Sequence, residues 1–252
     1  MEYIEIFDEN NNPTGKVKEK QQAHQDGNIH RTAHVWIIND KNELLLQKRS
    51  TSKKTHPNCW DISGAGNIKA GESVVDGAIR ELKEELGVEV EEKDLQYIAT
   101  IKSTKNPKNM EFQYVYLLNC NKEIEEYIFE DNEVSEVKYI FYKDLEKMVE
   151  EKIEGLLIHE EEYKYLFKYI TNKSIKIRKC NANDVDSIYN IQNIVIDNFK
   201  EEEKGYFLPF KKDTYLRIVN DPINDGEIYG AFIDNKMIAW IFLSVSNRMK
   251  EL

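Results

Sequence analysis

Gly66-Asn67-Ile68-Lys69-Ala70-Gly71-Glu72-Ser73, running on through Val74-Val75-Asp76-Gly77-Ala78-Ile79 to Arg80-Glu81-Leu82-Lys83-Glu84-Glu85-Leu86-Gly87-Val88, is the stretch on which the reading of this chain turns. Ser73 and Asp76 have the spacing of a capping box and mark a helix start. Val75, Ala78, Ile79, Leu82 and Leu86 follow at helical spacing and predict one apolar stripe. Gly87 is placed to end the helix. Glu81, Glu84 and Glu85 stand at i, i+3 and i+4, so their carboxylates are expected on one face, turned away from the stripe. Like charges at that spacing cost about 0.2–0.5 kcal/mol per pair in an isolated helix. Three of them make a poor arrangement unless a cation sits among them, and hard oxygen ligands suit Mg2+ or Mn2+.

An acidic run by itself says little. Glu123, Glu125 and Glu126 form another, as do Glu160, Glu161 and Glu162, and both are expected to be solvated faces. What separates the stretch above is register. Nine residue types are specified over the 23 positions from Gly66 to Val88: Gly, five residues, Glu, seven residues, then Arg-Glu-Leu-x-Glu-Glu-x-Gly-Val. This pattern resembles the Nudix box, and it is complete. The resemblance implies an α/β fold, an α/β/α sandwich with a mixed sheet, and metal-dependent attack on a diphosphate linkage. It also implies that Glu81, Glu84 and Glu85 hold the ion, that the Gly66 carbonyl is a further ligand, and that Arg80 and Glu72 brace loop and helix. Gly64 and Gly66 lie just before the helix, where bare backbone can approach a metal or phosphate closely.

The 252 residues suit one large domain or two small ones, and a hydrophobic content of 40% supports a packed core. The net charge of −11 argues against a nucleic-acid backbone or an anionic membrane as the main partner, so an anionic substrate must be met by local cations and metal. Cys59, Cys120 and Cys180 are far apart without metal-ligand spacing, as expected of thiols in a reducing compartment. No apolar run approaches about 18 residues and Met1-Glu2-Tyr3 opens without a basic or apolar leader, which predicts a soluble cytoplasmic protein.

Alternation and punctuation predict strands at Tyr3–Phe7, His34–Asn39, Leu44–Lys48, Trp60–Ser63, Leu95–Lys102, Phe112–Asn119 and Val137–Phe141. Asp8–Gly15 is expected as a polar turn and Ser50–Asn58 as a basic loop. Helices are expected at Lys143–Glu154 and Glu160–Ile170. A composition break at Thr171-Asn172-Lys173-Ser174 divides a first domain, 1–170, from a second segment, 175–252. In that segment a strand at Ile175–Arg178, helices at Val185–Ile196 and around Tyr215–Val219, and a hairpin of Ile228–Ile233 with Met237–Val245 about Asp234-Asn235 are expected. These features resemble the front half of a GNAT acetyltransferase, and its half sheet offers an open edge to a second copy of the chain.

Glu5-Ile6-Phe7-Asp8-Glu9-Asn10, Ile29-His30-Arg31-Thr32-Ala33-His34-Val35-Trp36 and Leu45-Leu46-Gln47-Lys48-Arg49-Ser50 resemble isopentenyl-diphosphate isomerase and its hydrolase relatives over about residues 2–150. That branch places a catalytic Cys and a metal-binding His on either side of the box Gly, where this chain has Ala65 and Asn67. Alanine can neither give nor take a proton, which counts against isomerisation. His24 and His30 match two upstream metal ligands only approximately. His30 is expected to hydrogen-bond or to face a phosphate, and His34 and His56 to be strand and loop residues. Glu111 matches the isomerase's catalytic carboxylate. It competes as a base or further ligand with Glu133 and Glu136, in the loop before a strand. Arg49, Lys53 and Lys54 form a basic cluster for the phosphates, with Arg able to clasp one through two bonds. Trp36 and Trp60 are expected in the core. The reading that results is Mg2+- or Mn2+-dependent hydrolysis of a nucleoside diphosphate-linked or related small molecule. Its competitors are isomerisation of isopentenyl diphosphate and a non-catalytic nucleotide-binding module.

Overall fold

The chain runs β1 (Tyr3–Phe7), β2 (Pro13–Glu19), α1 (Lys20–Gln25), β3 (His30–Ile38), β4 (Glu43–Arg49), β5 (Trp60–Asp61), β6 (Gly64–Asn67), α2 (Val74–Leu86), β7 (Leu95–Ser103), β8 (Glu111–Asn119), β9 (Val134–Phe141), α3 (Tyr142–Glu150), α4 (Glu160–Lys173), β10 (Lys176–Lys179), α5 (Val185–Asp197), α6 (Lys212–Asn220), β11 (Glu227–Ile233) and β12 (Lys236–Leu243). The structure is a computed structural model, and it describes residues 1–104, 106–129, 132–173, 175–197, 210–220, 227–233 and 236–243. Two compact units divide the chain, Met1–Lys168 and Tyr169–Leu252.

The first unit is built on β3. Its main sheet has the order β5-β4-β3-β8-β7, with β6 joined to the first half of β3 and β9 to β4. β3 and β8 are parallel, and the other pairings are antiparallel, so the sheet is mixed. Successive side chains of β3 point to opposite faces. Ala33, Val35 and Ile37 enter a core with Ala78, Leu82 and Leu86 of α2 and Val134 and Val137 of β9. Trp36 leaves by the other face, where its ring lies 5.3 Å from that of Tyr163 on α4. Helix, sheet and helix thus stack as an α/β/α sandwich.

Several boundaries differ from expectation. β2 begins at Pro13, inside the expected turn, and pairs with β1 from Tyr3↔Glu19 to Phe7↔Pro13. Its side chains are largely exposed, so no alternation announces it; main-chain pairing with β1 makes it a strand. α1 is capped by Glu19, whose carboxylate accepts the Gln22 N–H at 3.0 Å. α3 begins at Tyr142 and ends at Glu150, four residues short of the expected end.

In the second unit β10, β11 and β12 form an antiparallel sheet. Ile188 of α5 and Tyr215 and Ile218 of α6 pack on Ile228, Phe232 and Met237. The hairpin register closes at Ile233↔Lys236; its turn, Asp234-Asn235, lies outside the described residues, as do Ser174 and Val245. Among the described residues a three-stranded sheet with two helices is a general arrangement, and the acetyltransferase resemblance of this segment stays an expectation. Among the described residues no helix is long and apolar enough to cross a membrane.

Leu82 is fully buried between α2 and the sheet. Leu82→Ala is expected to lower the unfolding free energy by about 2–5 kcal/mol, read from urea denaturation with an unchanged m-value.

Candidate active site

The helix bearing the three glutamates is fixed at both ends. Ser73 Oγ accepts the Asp76 N–H at 3.1 Å and donates to Asp76 Oδ2 at 2.7 Å. At the other end Gly87 takes a left-handed φ of 63° and its N–H bonds back to the Lys83 carbonyl at 3.0 Å. A Cβ there would stand 2.8 Å from Ile128 Cβ, so glycine is required by both conformation and space.

Arg80 ties the preceding loop to the helix. Its Nε and Nη2 donate to Glu72 Oε1 and Oε2 at 2.8 and 3.0 Å, and Nη2 also donates to the Asn67 carbonyl at 2.9 Å. Its Nη1 donates to Glu81 Oε1 at 2.6 Å and to Glu84 Oε2 at 3.0 Å. Burial alone would raise Glu72, but the Arg80 bonds outweigh it and hold that carboxyl below the usual range.

β6 brings bare backbone against these carboxylates. A Cβ on Gly66 would stand 1.9 Å from Glu81 Cδ, so only glycine lets the 65–67 main chain pass so close. Glu85 lies deeper. It is 3% exposed, and its Oε2 accepts from the Ala65 N–H at 3.1 Å and from Gln47 Nε2 at 3.2 Å. Burial, and then the charge of Glu81, push Glu85 up to about 8. Glu81 is raised as well, by burial, against the pull of Arg80. The expected geometry is therefore corrected in one respect. Glu84 is half-exposed and reaches Lys69 Nζ at 3.4 Å, but Glu85 is not turned away from the apolar side: it is buried alongside Leu82 and Leu86.

The three base candidates separate in space. Glu133 forms an ion pair with Lys53, and both charges act on Glu85, in opposite senses. Glu136 is largely exposed and pairs with Lys48 at 3.2 Å. Glu111 belongs to another neighbourhood: it accepts from Gln113 Nε2 at 2.7 Å and Asn109 Nδ2 at 3.3 Å, and lies 3.7 Å from His30 Nε2. His30 is fully buried, 4.9 Å ring to ring from His24. Neither Nε2 makes a hydrogen bond among the described residues, and burial first of all lowers both imidazoles toward the neutral form. Of the basic cluster, Arg49 is tied to Thr55 and to Asp61 Oδ2 at 3.1 Å, Lys53 holds Glu133, and Lys54 is exposed.

Sequence reasoning missed a second set of polar groups. Glu162, expected on a solvated face, is 1% exposed. Its Oε2 meets His34 Nδ1 at 2.7 Å and its Oε1 accepts Trp36 Nε1–H at 2.6 Å. His159 Nε2 meets Asp61 Oδ1 at 2.9 Å. Burial would lower His34, yet the Glu162 carboxylate outweighs it and carries the imidazole to about 9. Burial would raise Asp61, yet His159 draws it down to about 2. The available signal was a His and an Asp inside apolar strand runs, where an ionisable group needs a partner.

The comparisons bear on the fold and on the carboxylate helix. The sequence model of the NUDIX domain matches residues 28–165. A Nudix hydrolase of Clostridium acetobutylicum is 37% identical over 183 residues, covering 68% of this chain and 88% of that protein. An isopentenyl-diphosphate Delta-isomerase of Pectobacterium atrosepticum is 39% identical over 85 residues, 34% of this chain and 47% of the isomerase. The crystal structure of DR0079 from Deinococcus radiodurans superposes with a TM-score of 0.53 at 22% identity, covering 66% of this chain and 98% of that one, which shows a shared fold. The chain belongs to the Nudix family and is a Nudix-type hydrolase of pyrophosphate bonds. Its likeness to the isomerases is partial.

Glu85 sets a pH dependence. Its carboxyl keeps its proton up to about pH 8 in the fold but releases it near 4.5 when unfolded. Between those values the native state binds more protons, so stability falls as pH rises. In the presence of chelator, the Glu85 contribution to the unfolding free energy is expected to decline from about pH 4.5 to about pH 8. Glu85→Gln should remove that part of the slope, as read from urea titrations at a series of pH values.

Proposed function

We propose that this chain is a Mg2+- or Mn2+-dependent pyrophosphohydrolase acting on a nucleoside diphosphate-linked or related small molecule. The observation that carries the proposal is the approach of the Gly66 backbone to Glu81, with Glu84 and Glu85 on the same helix. The residues fit a divalent ion. The donors are all hard oxygens, and the burial and mutual repulsion that raise Glu81 and Glu85 are what a bound dication relieves. Glu81, Glu84, Glu85 and the Gly66 carbonyl would hold it. When bound, such an ion polarises a phosphoryl group and lowers the pKa of attacking water.

The chain's own groups do the rest. Arg80 keeps Glu81 and Glu84 oriented by charged hydrogen bonds. Glu133 is the base best supported by its surroundings, because its charge is felt at Glu85 and Lys53 holds its carboxylate in place. It would take the proton of the attacking water. Lys53 and Lys54 offset phosphate charge on a chain whose net charge is −11. Arg49, engaged by Asp61 and Thr55, orders the basic loop.

Glu85→Gln is expected to lower metal-dependent turnover ~10²–10⁴-fold with the fold intact. Glu133→Gln should fall in the same direction, and Glu111→Gln should change hydrolysis far less. Phosphate release from nucleotide sugars, dinucleotides, nucleoside triphosphates and prenyl diphosphates with Mg2+ is the measurement. Unchanged turnover in Glu85→Gln would refute the assignment. The buried Nε2 atoms of His24 and His30, which make no hydrogen bond among the described residues, and the Glu111 carboxylate 3.7 Å from His30 favour one second reading, isomerisation of a prenyl diphosphate. Ala65 and Asn67 weigh against it, and absence of deuterium uptake into isopentenyl diphosphate in heavy water removes it.

A further inference from the structure

The polar set around Glu162 takes no part in the reaction described above. Its four ionisable members come from separated parts of the chain: His34 from β3, Asp61 from β5, His159 from the residues just before α4, and Glu162 from α4 itself. One ligand atom each from His34, His159 and Glu162 lie within 4.8 Å of one another, and Asp61 Oδ1 is 2.9 Å from His159 Nε2. Each carboxylate is divided in the same way. Glu162 gives one oxygen to the Trp36 indole N–H and presents the other to His34; Asp61 gives one oxygen to the Arg49 guanidinium and presents the other to His159. An N–H donor on the outer oxygen and an imidazole nitrogen facing the inner one is the arrangement that outer-sphere partners impose on metal ligands.

We propose that His34, His159 and Glu162, with Asp61 beside them, form a second metal site, for a transition metal of the Zn2+ class. Two imidazoles and a carboxylate select zinc or its neighbours over Mg2+, which prefers the all-oxygen set on α2. To hold an ion, the three ligand atoms, now within 4.8 Å of one another, would rearrange around it. A tetrahedral ion with bonds of about 2.0–2.1 Å spaces its ligand atoms by about 3.3 Å. The 2.7 Å contact of His34 Nδ1 with Glu162 Oε2 would open by about 0.6 Å to admit it. Both imidazoles must be neutral to ligate, so an ion entering the site competes with protons for their nitrogens. Metal binding at this site therefore releases protons and weakens as pH falls. The ion would join β3, β5 and α4 at one point and so lock α4 onto the sheet.

The test uses the full chain stripped by chelator and dialysed into a large excess of Mg2+, which saturates the oxygen set. One equivalent of Co2+ is expected to give the intense visible absorption of a tetrahedral nitrogen-containing site, and one equivalent of Zn2+ to abolish it and raise Tm. His159→Gln and Glu162→Gln should lose the absorption, while Glu84→Gln, on the other helix, keeps it. X-ray absorption of the zinc-loaded wild type should find two imidazoles in the ligand shell, a reading that stands even where a variant fails to fold. No visible band and no retained zinc in the wild type would leave two sealed ion pairs and overturn the proposal. So would an all-oxygen shell, or a band that persists in His159→Gln. None of these readings depends on turnover, so failure of the hydrolase assignment would leave them unaffected.

Discussion

The Arg80 guanidinium is the contact on which the candidate site rests. It binds two carboxylate oxygens of Glu72 before the helix, one each of Glu81 and Glu84 on it, and the Asn67 carbonyl of β6. A planar fork of donors can do this where a lysine's single ammonium cannot. Without that positive charge, Glu81 and Glu84 would face each other beside a main chain that passes too close to Glu81 for any Cβ. Arg80 therefore holds in register a group of acids whose mutual repulsion would otherwise spread them, and it does so before any ion is bound. Its own pKa is pushed up by Glu72 and Glu81 in spite of burial, so it stays charged at every accessible pH.

Alternation along β3 organises the rest. Odd-numbered Ala33, Val35 and Ile37 seat α2 and its carboxylates, while even-numbered His30, His34 and Trp36 line a second, polar neighbourhood with Glu111, Asp61, His159 and Glu162. One strand thus keeps two acidic sets apart. This is why Glu111 and Glu133 are not equivalent: each is a carboxylate at the end of a strand, but Glu111 answers to His30 and Gln113, and Glu133 to Lys53 and Glu85. The outcome of burial differs between the two sets. On the α2 side burial raises Glu81 and Glu85; behind the sheet the imidazoles of His159 and His34 outweigh it and hold Asp61 and Glu162 low.

Much of the first set was legible because it is local. The cap at Ser73, the stop at Gly87, the i, i+3, i+4 spacing of Glu81, Glu84 and Glu85 and the brace of Glu72 and Arg80 all lie within one turn-and-helix segment. Spacing along a helix determines which side chains are neighbours, and the resemblance named their chemistry. The strands of the main sheet were legible from alternation, whereas β2 was not, because its exposed side chains carry no pattern and its pairing with β1 is made by the main chain.

The second set was beyond such reading. His34 and Glu162 are 128 residues apart, and His159 and Asp61 are 98 apart. A glutamate in the run Glu160-Glu161-Glu162 looks like its neighbours until α4 is laid on the sheet and only one of the three turns inward to Trp36 and His34. The sequence by itself determined the family, the carboxylate helix and its caps, since periodicity and local hydrogen bonding settle these over a few turns. Only the tertiary structure decided that Glu85 is buried, that Glu133 pairs with Lys53 while Glu111 sits beside His30, and that two histidines and two acids meet behind the sheet. Burial and charge pairing are properties of what packs against a residue, and no spacing along the chain encodes them.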